Sequence, residues 1–498
     1  MIGWGEGPGS AAYGRLRHPL ESPTMDPVDL AYAGVARQAK LIASGELSSR
    51  DLLEVYLERI QRLDPQLNAF RVVFRERARL EADQADARRR AGTHPAHRPL
   101  LGVPIAVKDD IEVAGEVTAL GSNAYGDPAP ADAEVVRRLR AAGALILGKT
   151  NVPELCAWTF SETSTWGATR NPWDLQHTPG GSSGGTGAAV AAGLVGAGLG
   201  SDGAGSIRIP SAWCGLFGLK PQRGRVSMAP HAETWHGLAT RGALTRTVQD
   251  SALMYDVISG TTPVDRERAP APEVSFLQAI SAPVRKLRVA LSTRVMPGVL
   301  PRLDADGRRL TEEMAELLRS LGHEVSECDP DYGAVTFPAV IVRYLRGLHD
   351  EAAGMAHPER LERRTRAVAR LGALIPPALV ERSRAMEGQL RERLNRVLVD
   401  HDVLLTPTTA TPPPRIGRLQ GRGALWTLND VIGMVPYLGA FNVTGQPACS
   451  VPAGFDSSGL PRGAQFVGRP GDEATLLSLA VQVQAARPWA QQRPPLFS

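Results

Sequence analysis

The chain has 498 residues, 43% of them hydrophobic and 22% charged, which is typical of a globular protein large enough to bury a core without disulfides or metals. Its 56 basic and 52 acidic residues give a net charge of only +4, and its short arginine runs are typical of solvated helix faces, which argues against a nucleic-acid partner. Four dispersed cysteines without a CxxC pair argue against a zinc ribbon or a disulfide framework and favour a cytoplasmic protein.

A disordered tail is predicted over residues 1–27, because this stretch is rich in glycine, proline and serine. It contains no apolar run of the kind that a secretory signal needs. The longest apolar stretch of the chain, AAVAAGLVGAGLG, is too short and too rich in glycine to span a bilayer. We therefore expect no membrane partner.

Helical and strand patterns alternate in the next part of the chain. Helices are predicted over 29–43, after a cap at Ser48 or Ser49, over 74–91, and over 132–143 with Asp132 as the cap. The β-branched run around Lys108 and the apolar run ALIL (144–147) predict buried strands on either side of the last of these helices. Strand, helix and strand at this spacing indicate an α/β fold.

Glycine is dense and charge is sparse from residue 152 to 225, as expected where a backbone approaches a ligand closely. Beyond it we predict a strand at 284–293, a helix near 303–321, a helix-rich region over 338–400, a strand from 402, strands in PACSVPAG and GAQFVG, and a helix at 472–486. The C-terminal part therefore returns to α/β texture.

The segment GALILGKT (143–150) matches the phosphate-loop pattern GxxxxGK[ST]. Such a loop needs polar, turning residues between the two glycines, so that backbone N–H groups face the phosphate. Here those residues are Ala, Leu, Ile and Leu. We interpret the segment as a buried strand that ends at Gly148, with Lys149 at its rim.

The segment GGSSGG (180–185) matches the nucleophile-elbow pattern GxSxG twice, at Ser182 and at Ser183. An elbow follows directly on a hydrophobic strand, whereas the preceding NPWDLQHTP contains two prolines and no apolar alternation. A flexible linker is disfavoured as well, because the apolar AAVAAG follows at once. The sequence predicts neither an elbow nor a linker here.

The segment GSDGAGSIRIP (200–210) has features that acyl transfer requires. Its small side chains leave backbone N–H groups exposed to a substrate oxygen, as in an oxyanion hole, and Ser206 could attack from the same loop. A tight turn before a short helix, with Arg208 in a salt bridge or at the surface, would explain the same residues.

A serine nucleophile needs a base, and Lys108 is the candidate. It follows the apolar VPIAV, and burial would lower its pKa because desolvation penalises the charged form. Arginine cannot serve, since it does not lose its proton. An ion pair between Lys108 and Asp109 or Asp110 is the structural alternative that this residue alone leaves open.

Together these motifs are similar to those of the amidase signature family. The resemblance lies in LGVPIAVKDDI, LILGKTNVPEL, GATRNPWDLQHTPGGSSGGTGAAVAAG, GSDGAGSIRIPSAWCGLFGLKP, FNVTGQPACSVPAG and GLPRGAQFVG. It implies a single large α/β domain over 28–495, with a mixed β-sheet core flanked by helices on both faces. It also implies a variable helical region on the substrate side, at about 330–400.

The resemblance further implies a Ser–cisSer–Lys triad that hydrolyses amides without a metal or a cofactor. Carried over position by position, Ser206 resembles the nucleophile, Ser182 the bridging serine, and Lys108 the base. The peptide bond between Gly181 and Ser182 is expected to be cis.

The other residues that the resemblance assigns lie close to the triad serines. The oxyanion hole would be formed by the backbone N–H groups of Gly203, Ala204, Gly205 and Ser206. The supporting residues would be Ser183, Asp202 and Arg208.

Ala204 departs from the glycine that the family often has at this position. If the backbone there needs a positive φ, alanine is strained and the loop geometry changes. The same alanine occurs in nylon-oligomer (cyclic dimer) hydrolases of the family, which points to a linear or cyclic aliphatic amide. Aryl amides, and carbamates as in urethanase-like members, are the alternative small-molecule substrates.

Two other functions stay open. A subunit of tRNA transamidation typically carries an SSLDQIGP-like segment, whereas this chain has ETWHGLATRGALTRTVQD (233–250), which favours a stand-alone amidase. A catalytically idle binding protein of the same fold is the other alternative, and the intact triad argues against it. The oligomeric state is not apparent from the sequence, and a homodimer is compatible with it.

Substrate-pocket residues are expected where the chain lacks family-defining motifs. These segments are 156–178, 228–240, 330–400 and 425–445. The aromatic candidates within them are Trp158, Trp166, Trp235, Trp426 and Tyr437.

Overall fold

The computed structural model describes residues 25–92, 95–300 and 302–497. Most of the predicted disordered tail, residues 1–24, lies outside these ranges. The side chain of Asp26 accepts hydrogen bonds from the N–H groups of Val28 and Asp29 and so caps the first helix.

The helices of the described ranges follow one another closely. They are α1 (Pro27–Tyr32), α2 (Val35–Ser44), α3 (Ser49–Leu67), α4 (Arg75–Arg90), α5 (Glu134–Ala141), α6 (Gly184–Ala191), α7 (Arg208–Cys214), α8 (Val248–Ile258), α9 (Phe276–Ser281), α10 (Ala305–Ser320), α11 (Thr336–Gly354), α12 (Arg363–Ala373), α13 (Pro377–Ala385), α14 (Glu387–Asn395), α15 (Val397–Asp400), α16 (Ala424–Met434), α17 (Gly439–Val443) and α18 (Glu473–Ala486). Short 3-10 helices lie at Pro95–His97, Glu154–Cys156, Trp235–Gly237, Pro358–Arg360 and Trp489–Gln491.

The strands are β1 (Phe70–Val73), β2 (Pro104–Lys108), β3 (Leu145–Thr150), β4 (Glu162–Thr163), β5 (Gly167–Ala168), β6 (Ala197–Asp202), β7 (Phe217–Lys220), β8 (Thr240–Thr245), β9 (Arg288–Leu291), β10 (Glu324–Glu327), β11 (Val403–Pro407), β12 (Ala448–Phe455) and β13 (Pro461–Val467). Within the described residues, eleven of them form one sheet in the order β1-β3-β2-β6-β8-β7-β12-β13-β11-β9-β10, and β4 pairs with β5 separately.

The large sheet is mixed. Its β2 pairs in parallel with β3 and β6, whereas β6 pairs with β8, and β12 with β13, in antiparallel register. Every residue of β2, β3, β8 and β13 is buried, although successive side chains point to opposite faces. Both faces are therefore covered, as the predicted α/β fold with flanking helices requires.

The predicted helix over 29–43 is two helices, because the chain turns at Gly34, where φ is 79°. A Cβ atom at this position would lie 2.3 Å from Oδ2 of Asp250. The other oxygen of that carboxylate accepts the N–H of Ala36 at 2.9 Å, near the start of α2. The division therefore depends on a residue more than 200 positions away, which local helical periodicity does not contain.

The next helix agrees with its prediction. Ser48 caps α3 by accepting the N–H of Asp51, and the predicted apolar face of α3 is buried. The predicted cap of α5 is wrong, because the residue before that helix is Ala133 and Asp132 lies one position too early. Asp132 instead accepts the N–H of Ala114 at 2.8 Å and pairs with Arg140 at 2.9 Å.

The segment interpreted as a strand rather than a phosphate loop forms β3, but the predicted strand end is wrong. The strand continues through Lys149 to Thr150, because β1 pairs with it in antiparallel register, Val72 opposite Lys149. Lys149 is fully buried, not at the rim, and its Nζ lies 2.8 Å from Oδ1 of Asp109.

Within the described ranges, no helix is both long and apolar enough to cross a membrane.

Candidate active site

The candidate site lies where two neighbouring parallel strands end. Lys108 is the last residue of β2, and Ser201 and Asp202 end β6, which pairs with β2. The carboxyl ends of parallel strands meet at one edge of a sheet, where ligand sites commonly form. The loop after β6 carries Ser206 and leads into α7.

The Lys108 ammonium is fully buried among oxygen atoms. Its Nζ lies 2.7 Å from Oγ of Ser182, 2.6 Å from Oγ of Ser201, and 3.0 Å from Oδ2 of Asp110. The Ser201 hydroxyl in turn donates to the same Asp110 oxygen. Sequence reasoning did not include Ser201 in the site, and its position at the end of β6 became meaningful only when β6 was placed beside β2.

Of the two aspartates considered as ion-pair partners, only Asp110 contacts Lys108. The side chain of Asp109 points elsewhere and lies 2.8 Å from Nζ of Lys149 and 2.6 Å from Nε of Arg71. The sequence left open whether Lys108 forms an ion pair or serves as a base. The structure combines the two contacts, since Nζ touches both the Asp110 carboxylate and the Ser182 hydroxyl.

The expectation that burial makes Lys108 neutral is wrong for this structure. Burial by itself would lower the pKa of Lys108, but the adjacent Asp110 carboxylate and, to a smaller extent, the Cys156 side chain outweigh it, so this pKa lies above its usual value. Burial would raise the pKa of Asp110, whereas Lys108 and the Ser201 hydroxyl lower it below its usual value. The resting pair is thus an ammonium and a carboxylate.

The Gly181–Ser182 peptide bond is cis, as predicted. A Cβ atom on Gly181 would lie 2.5 Å from the carbonyl oxygen of Trp158, so the packing at this position requires glycine. The next residue, Ser183, donates its backbone N–H to the carbonyl of Ser206 at 3.2 Å. Its hydroxyl donates to the carbonyl of Ser201 at 3.3 Å, so Ser183 links the segment to both ends of the loop after β6.

The backbone of the loop after β6 shows whether Ala204 has to adopt a positive φ. Its left-handed residue is Gly205, with φ 122°, and Ala204 is not among the residues with positive φ. The Ala204 methyl group is therefore tolerated without backbone strain. The Gly205 N–H donates to Oδ1 of Asp202 at 2.6 Å, so it is occupied within the loop. Among the described residues, no acceptor faces the N–H groups of Gly203, Ala204 or Ser206.

A buried ion pair anchors this loop. The side chains of Asp202 and Arg208 are fully buried and 2.9 Å apart. Burial alone would raise the pKa of Asp202, but the Arg208 guanidinium holds it well below its usual range. The guanidinium also donates to Asn442 at 2.6 Å and to Gln465 at 2.7 Å, so nearly all of its donors are satisfied without solvent.

Ser182 and Ser206 line one cavity with a volume of about 910 Å³. No hydrogen bond joins their hydroxyl groups within the described part of the chain. Ser182 is 1% exposed and points to Lys108, whereas Ser206 is half-buried on the cavity wall. Catalytic hydrogen bonds of this kind often close only when substrate is present.

All four segments predicted to line the substrate pocket contribute to this cavity, the first only through residues 156–159. Of the five aromatic candidates, Trp158 and Trp235 line it. The others do not: Trp166 lies under Arg71, Trp426 lies under Arg422 and is 43% exposed, and Tyr437 donates to the carbonyl of Thr293.

The prediction missed Met296 and a longer part of the wall, the chain that follows β2. This segment contributes Asp110, Glu112, Thr118, Leu120, Tyr125 and Gly126. Its position directly after the proposed base was the available signal. Helix α11 adds Val340 and Tyr344, and the Tyr344 ring packs edge-on against Trp235 at 5.0 Å.

The arrangement is suited to nucleophilic attack on a carbonyl group. The Ser206 hydroxyl and the Ser182 hydroxyl, which contacts Lys108, line the same cavity, and backbone N–H groups without acceptors among the described residues lie in the loop that carries Ser206. These are the parts from which acyl transfer by a serine is built. Within the described residues, no three His, Cys, Asp or Glu side chains are grouped as a metal site would need.

Comparisons with known proteins show which proteins this chain resembles. The family described as Amidase matches residues 51–477. The protein named "Putative amidase AmiB2" of Mycobacterium tuberculosis is 53% identical over 470 residues, covering 94% of this chain and 99% of the relative. The 6-aminohexanoate-cyclic-dimer hydrolase of Paenarthrobacter ureafaciens is 35% identical over 506 residues, covering 95% and 98%. A solved structure of 6-aminohexanoate cyclic dimer hydrolase with substrate superposes with a TM-score of 0.84 at 32% identity, covering 94% and 100%.

Proposed function

Because this chain belongs to the amidase signature family and is an amide-cleaving hydrolase, we propose that it cleaves a carboxylic amide through an acyl intermediate on Ser206. In this proposal Ser182 carries the proton and Lys108 is the base. The observation that supports it most is the 2.7 Å contact between Nζ of Lys108 and Oγ of Ser182, next to a cavity that Ser206 lines.

The reaction begins from the neutral amine of Lys108. Lys108 takes the proton of the Ser182 hydroxyl, Ser182 takes that of Ser206, and Oγ of Ser206 forms a bond to the substrate carbonyl carbon. The C–N bond then breaks, and the leaving amine receives the proton that returns from Lys108 through Ser182. Water attacks the acyl-Ser206 ester by the same route and releases the acid, which restores the enzyme.

The negative oxygen of the tetrahedral intermediate needs donors, which the loop after β6 offers. We propose the N–H groups of Gly203, Ala204 and Ser206, because they lack acceptors within the described residues. Gly205 leaves the predicted set, because its N–H already donates to Asp202 at 2.6 Å. Gly205 instead supplies the positive φ of this loop.

The cavity favours a sizeable, largely apolar acyl or amine group. Its wall includes Trp158, Trp235, Val340 and Tyr344. The relative from Paenarthrobacter ureafaciens acts, by its name, on the cyclic dimer of 6-aminohexanoate. We therefore propose a linear or cyclic aliphatic amide as the substrate class, with aryl amides and carbamates as the competing classes.

The experiment is covalent labelling of the folded protein with a fluorophosphonate, followed by turnover of matched amide, anilide, carbamate and ester substrates. We expect the probe on Ser206 and no labelling of Ser206→Ala. The control is Ser211→Ala, which removes a buried serine of α7 whose hydroxyl donates to the carbonyl of Ile207 at 2.8 Å. Labelling at another residue, or none in folded protein, would contradict the nucleophile assignment. Glutamine turnover that depends on a partner subunit would favour the transamidase alternative instead.

The cytoplasmic location and the homodimer stay predictions. All four cysteines are free, which suits a reducing compartment. Cell fractionation and light scattering of the purified protein test the two predictions.

A further inference from the structure

Asp110 is one of three residues whose oxygen atoms surround Nζ of Lys108. The sequence analysis gave Asp110 no role in the reaction. Nζ of Lys108 has three oxygen neighbours within 3.0 Å, on Ser182, Ser201 and Asp110. A lysine ammonium has three N–H donors and no acceptor, so each neighbour receives one of them. The resting ammonium is therefore fully satisfied without water.

The same contacts determine the geometry once Lys108 has lost a proton. A neutral amine has two N–H donors and one lone pair. The Asp110 carboxylate can only accept, and the Ser201 hydroxyl already donates its hydrogen to Asp110, so it too must accept from Lys108. Both N–H groups are then engaged, and the lone pair faces Oγ of Ser182 at 2.7 Å.

We propose that Asp110 is a positioning residue of the amidase reaction: it holds the resting ammonium of Lys108 and, with Ser201, aims the lone pair of the neutral amine at Ser182. This inference rests on the proposed function. Among the described residues Asp110 has no hydrogen bond to Ser206, and it acts through Lys108. The ion pair affects the pH profile of activity. The acid limb, where activity falls as Lys108 is protonated, should lie at higher pH than it would for a buried lysine without a carboxylate partner.

Asp110 acts more strongly on Lys108 than the other titratable groups near the pair. Cys156, whose Sγ lies 3.8 Å from Oδ2 of Asp110, raises the pKa of Lys108 less than Asp110 does, and burial raises the pKa of its own thiol. Arg241 of β8 is paired with Glu112 at 3.2 Å. Burial also raises the pKa of Glu351, which extends from α11 into the same cavity. Within the described residues, Asp110 is the one carboxylate in contact with Lys108.

The Asp110 side chain has no hydrogen bond outside the site among the described residues. Its Oδ2 bonds to Lys108, Ser201 and the Cys156 thiol, all within the site, and its Oδ1 has no hydrogen-bond partner among the described residues. Asp110→Asn keeps the shape of the side chain and an accepting oxygen while removing the charge. It is therefore a clean test of the ion pair.

The experiment measures kcat/KM, and separately the rate of fluorophosphonate labelling, from acid to alkaline pH in the wild type and in Asp110→Asn. An opposite charge in contact shifts a pKa by about 1–3 units, so we expect the acid limb to move to lower pH by about that amount. At a pH on the acid limb of the wild type, we divide the activity of each protein by its own alkaline plateau. This ratio should be at least about tenfold larger for Asp110→Asn than for the wild type.

Two further variants separate charge from orientation. Ser201→Ala keeps the charge but removes one of the two acceptors, so its alkaline plateau should fall about tenfold or more while its acid limb does not move to lower pH. Glu351→Gln removes a carboxylate from the same cavity without touching Lys108, so its acid limb should move by less than about half a unit.

An acid limb that coincides in Asp110→Asn and wild type would overturn the inference. So would loss of activity in Asp110→Asn at every pH with unchanged thermal unfolding, because the carboxylate would then be a proton acceptor. If the wild type neither labels nor turns over any substrate, the proposed function fails instead, and the two failures are distinguished.

Discussion

Two fully buried lysines lie at the ends of neighbouring parallel strands, Lys108 on β2 and Lys149 on β3. Each is close to one aspartate of the same consecutive pair, Asp110 at 3.0 Å and Asp109 at 2.8 Å. Their remaining contacts differ. Lys108 donates to two serine hydroxyls beside a large cavity, whereas Lys149 donates to the carbonyl of Val117 and to a threonine hydroxyl, both at 3.0 Å.

The difference shows that burial and an ion pair do not by themselves make a lysine a base. A buried pair needs a third group that can carry a proton between it and a substrate. Ser182 supplies that group at Lys108 and lies on the wall of the cavity. Among the residues that the structure describes, Lys149 has no hydrogen bond to a serine and does not line the cavity, so its pair with Asp109 serves the fold.

The largest expected effect is that of Lys108→Ala. Without the base, kcat should fall by about 10³-fold or more, because proton transfer from Ser182 loses its acceptor. Turnover of the substrate panel measures kcat, and thermal unfolding by circular dichroism checks that the variant is folded. Near-normal turnover would mean that another group acts as the base.

Next in size is Lys149→Met, the matched change in the second lysine. It leaves Asp109 paired only with Arg71 and should lower the free energy of unfolding by about 3 kcal/mol, as expected for removing one partner of a buried pair. Denaturant unfolding measures this loss. The folded variant should keep kcat within about threefold of wild type, since Lys149 touches no reacting group. A loss of kcat as large as that of Lys108→Ala would remove the distinction between the two sites.

The pH dependence should also separate the two lysines. Because the pKa of Lys108 is raised, the amine is protonated at neutral pH, and kcat/KM should rise about tenfold per pH unit into the alkaline range. The same ion pair stabilises the fold at neutral pH, and this contribution is lost as pH rises through the raised pKa. Lys149→Met should show the same acid limb as wild type. A profile that stays flat down to about pH 5 contradicts a lysine base.

The smallest effect on activity is expected from a change in the cavity wall, which lies beside Lys108 and not beside Lys149. Trp235→Ala removes a ring that packs against Tyr344 at 5.0 Å, so KM for an apolar amide should rise about tenfold while kcat changes less. Steady-state kinetics measure both constants. Trp426→Ala is the control, because Trp426 does not line the cavity. An equal rise of KM in both variants would contradict a role for Trp235 in binding.

Most of the fold could be predicted because the relevant patterns are local. Ser48 precedes an apolar stripe of helical spacing and caps α3. The failures have distant causes: Asp250 divides the first predicted helix at Gly34, and β1 extends β3 through Lys149. Neither cause lies within one helical turn of the residue that it changes. The motifs also led to Lys108, Ser182 and Ser206. The two serines line one cavity and Lys108 contacts Ser182, whereas their roles stay proposals.

By itself, the sequence determined the α/β class, the family and the residue types at the strand ends, because these follow from periodicity and from motifs that are contiguous in the chain. Only the tertiary structure decided which aspartate pairs with Lys108, that Ser201 joins it, and that Gly205 rather than Ala204 has the positive φ. The protonation of Lys108 was decided in the same way. Burial favours the neutral amine and a contacting carboxylate favours the ammonium, and the balance depends on distances of about 3 Å between side chains that no sequence spacing specifies.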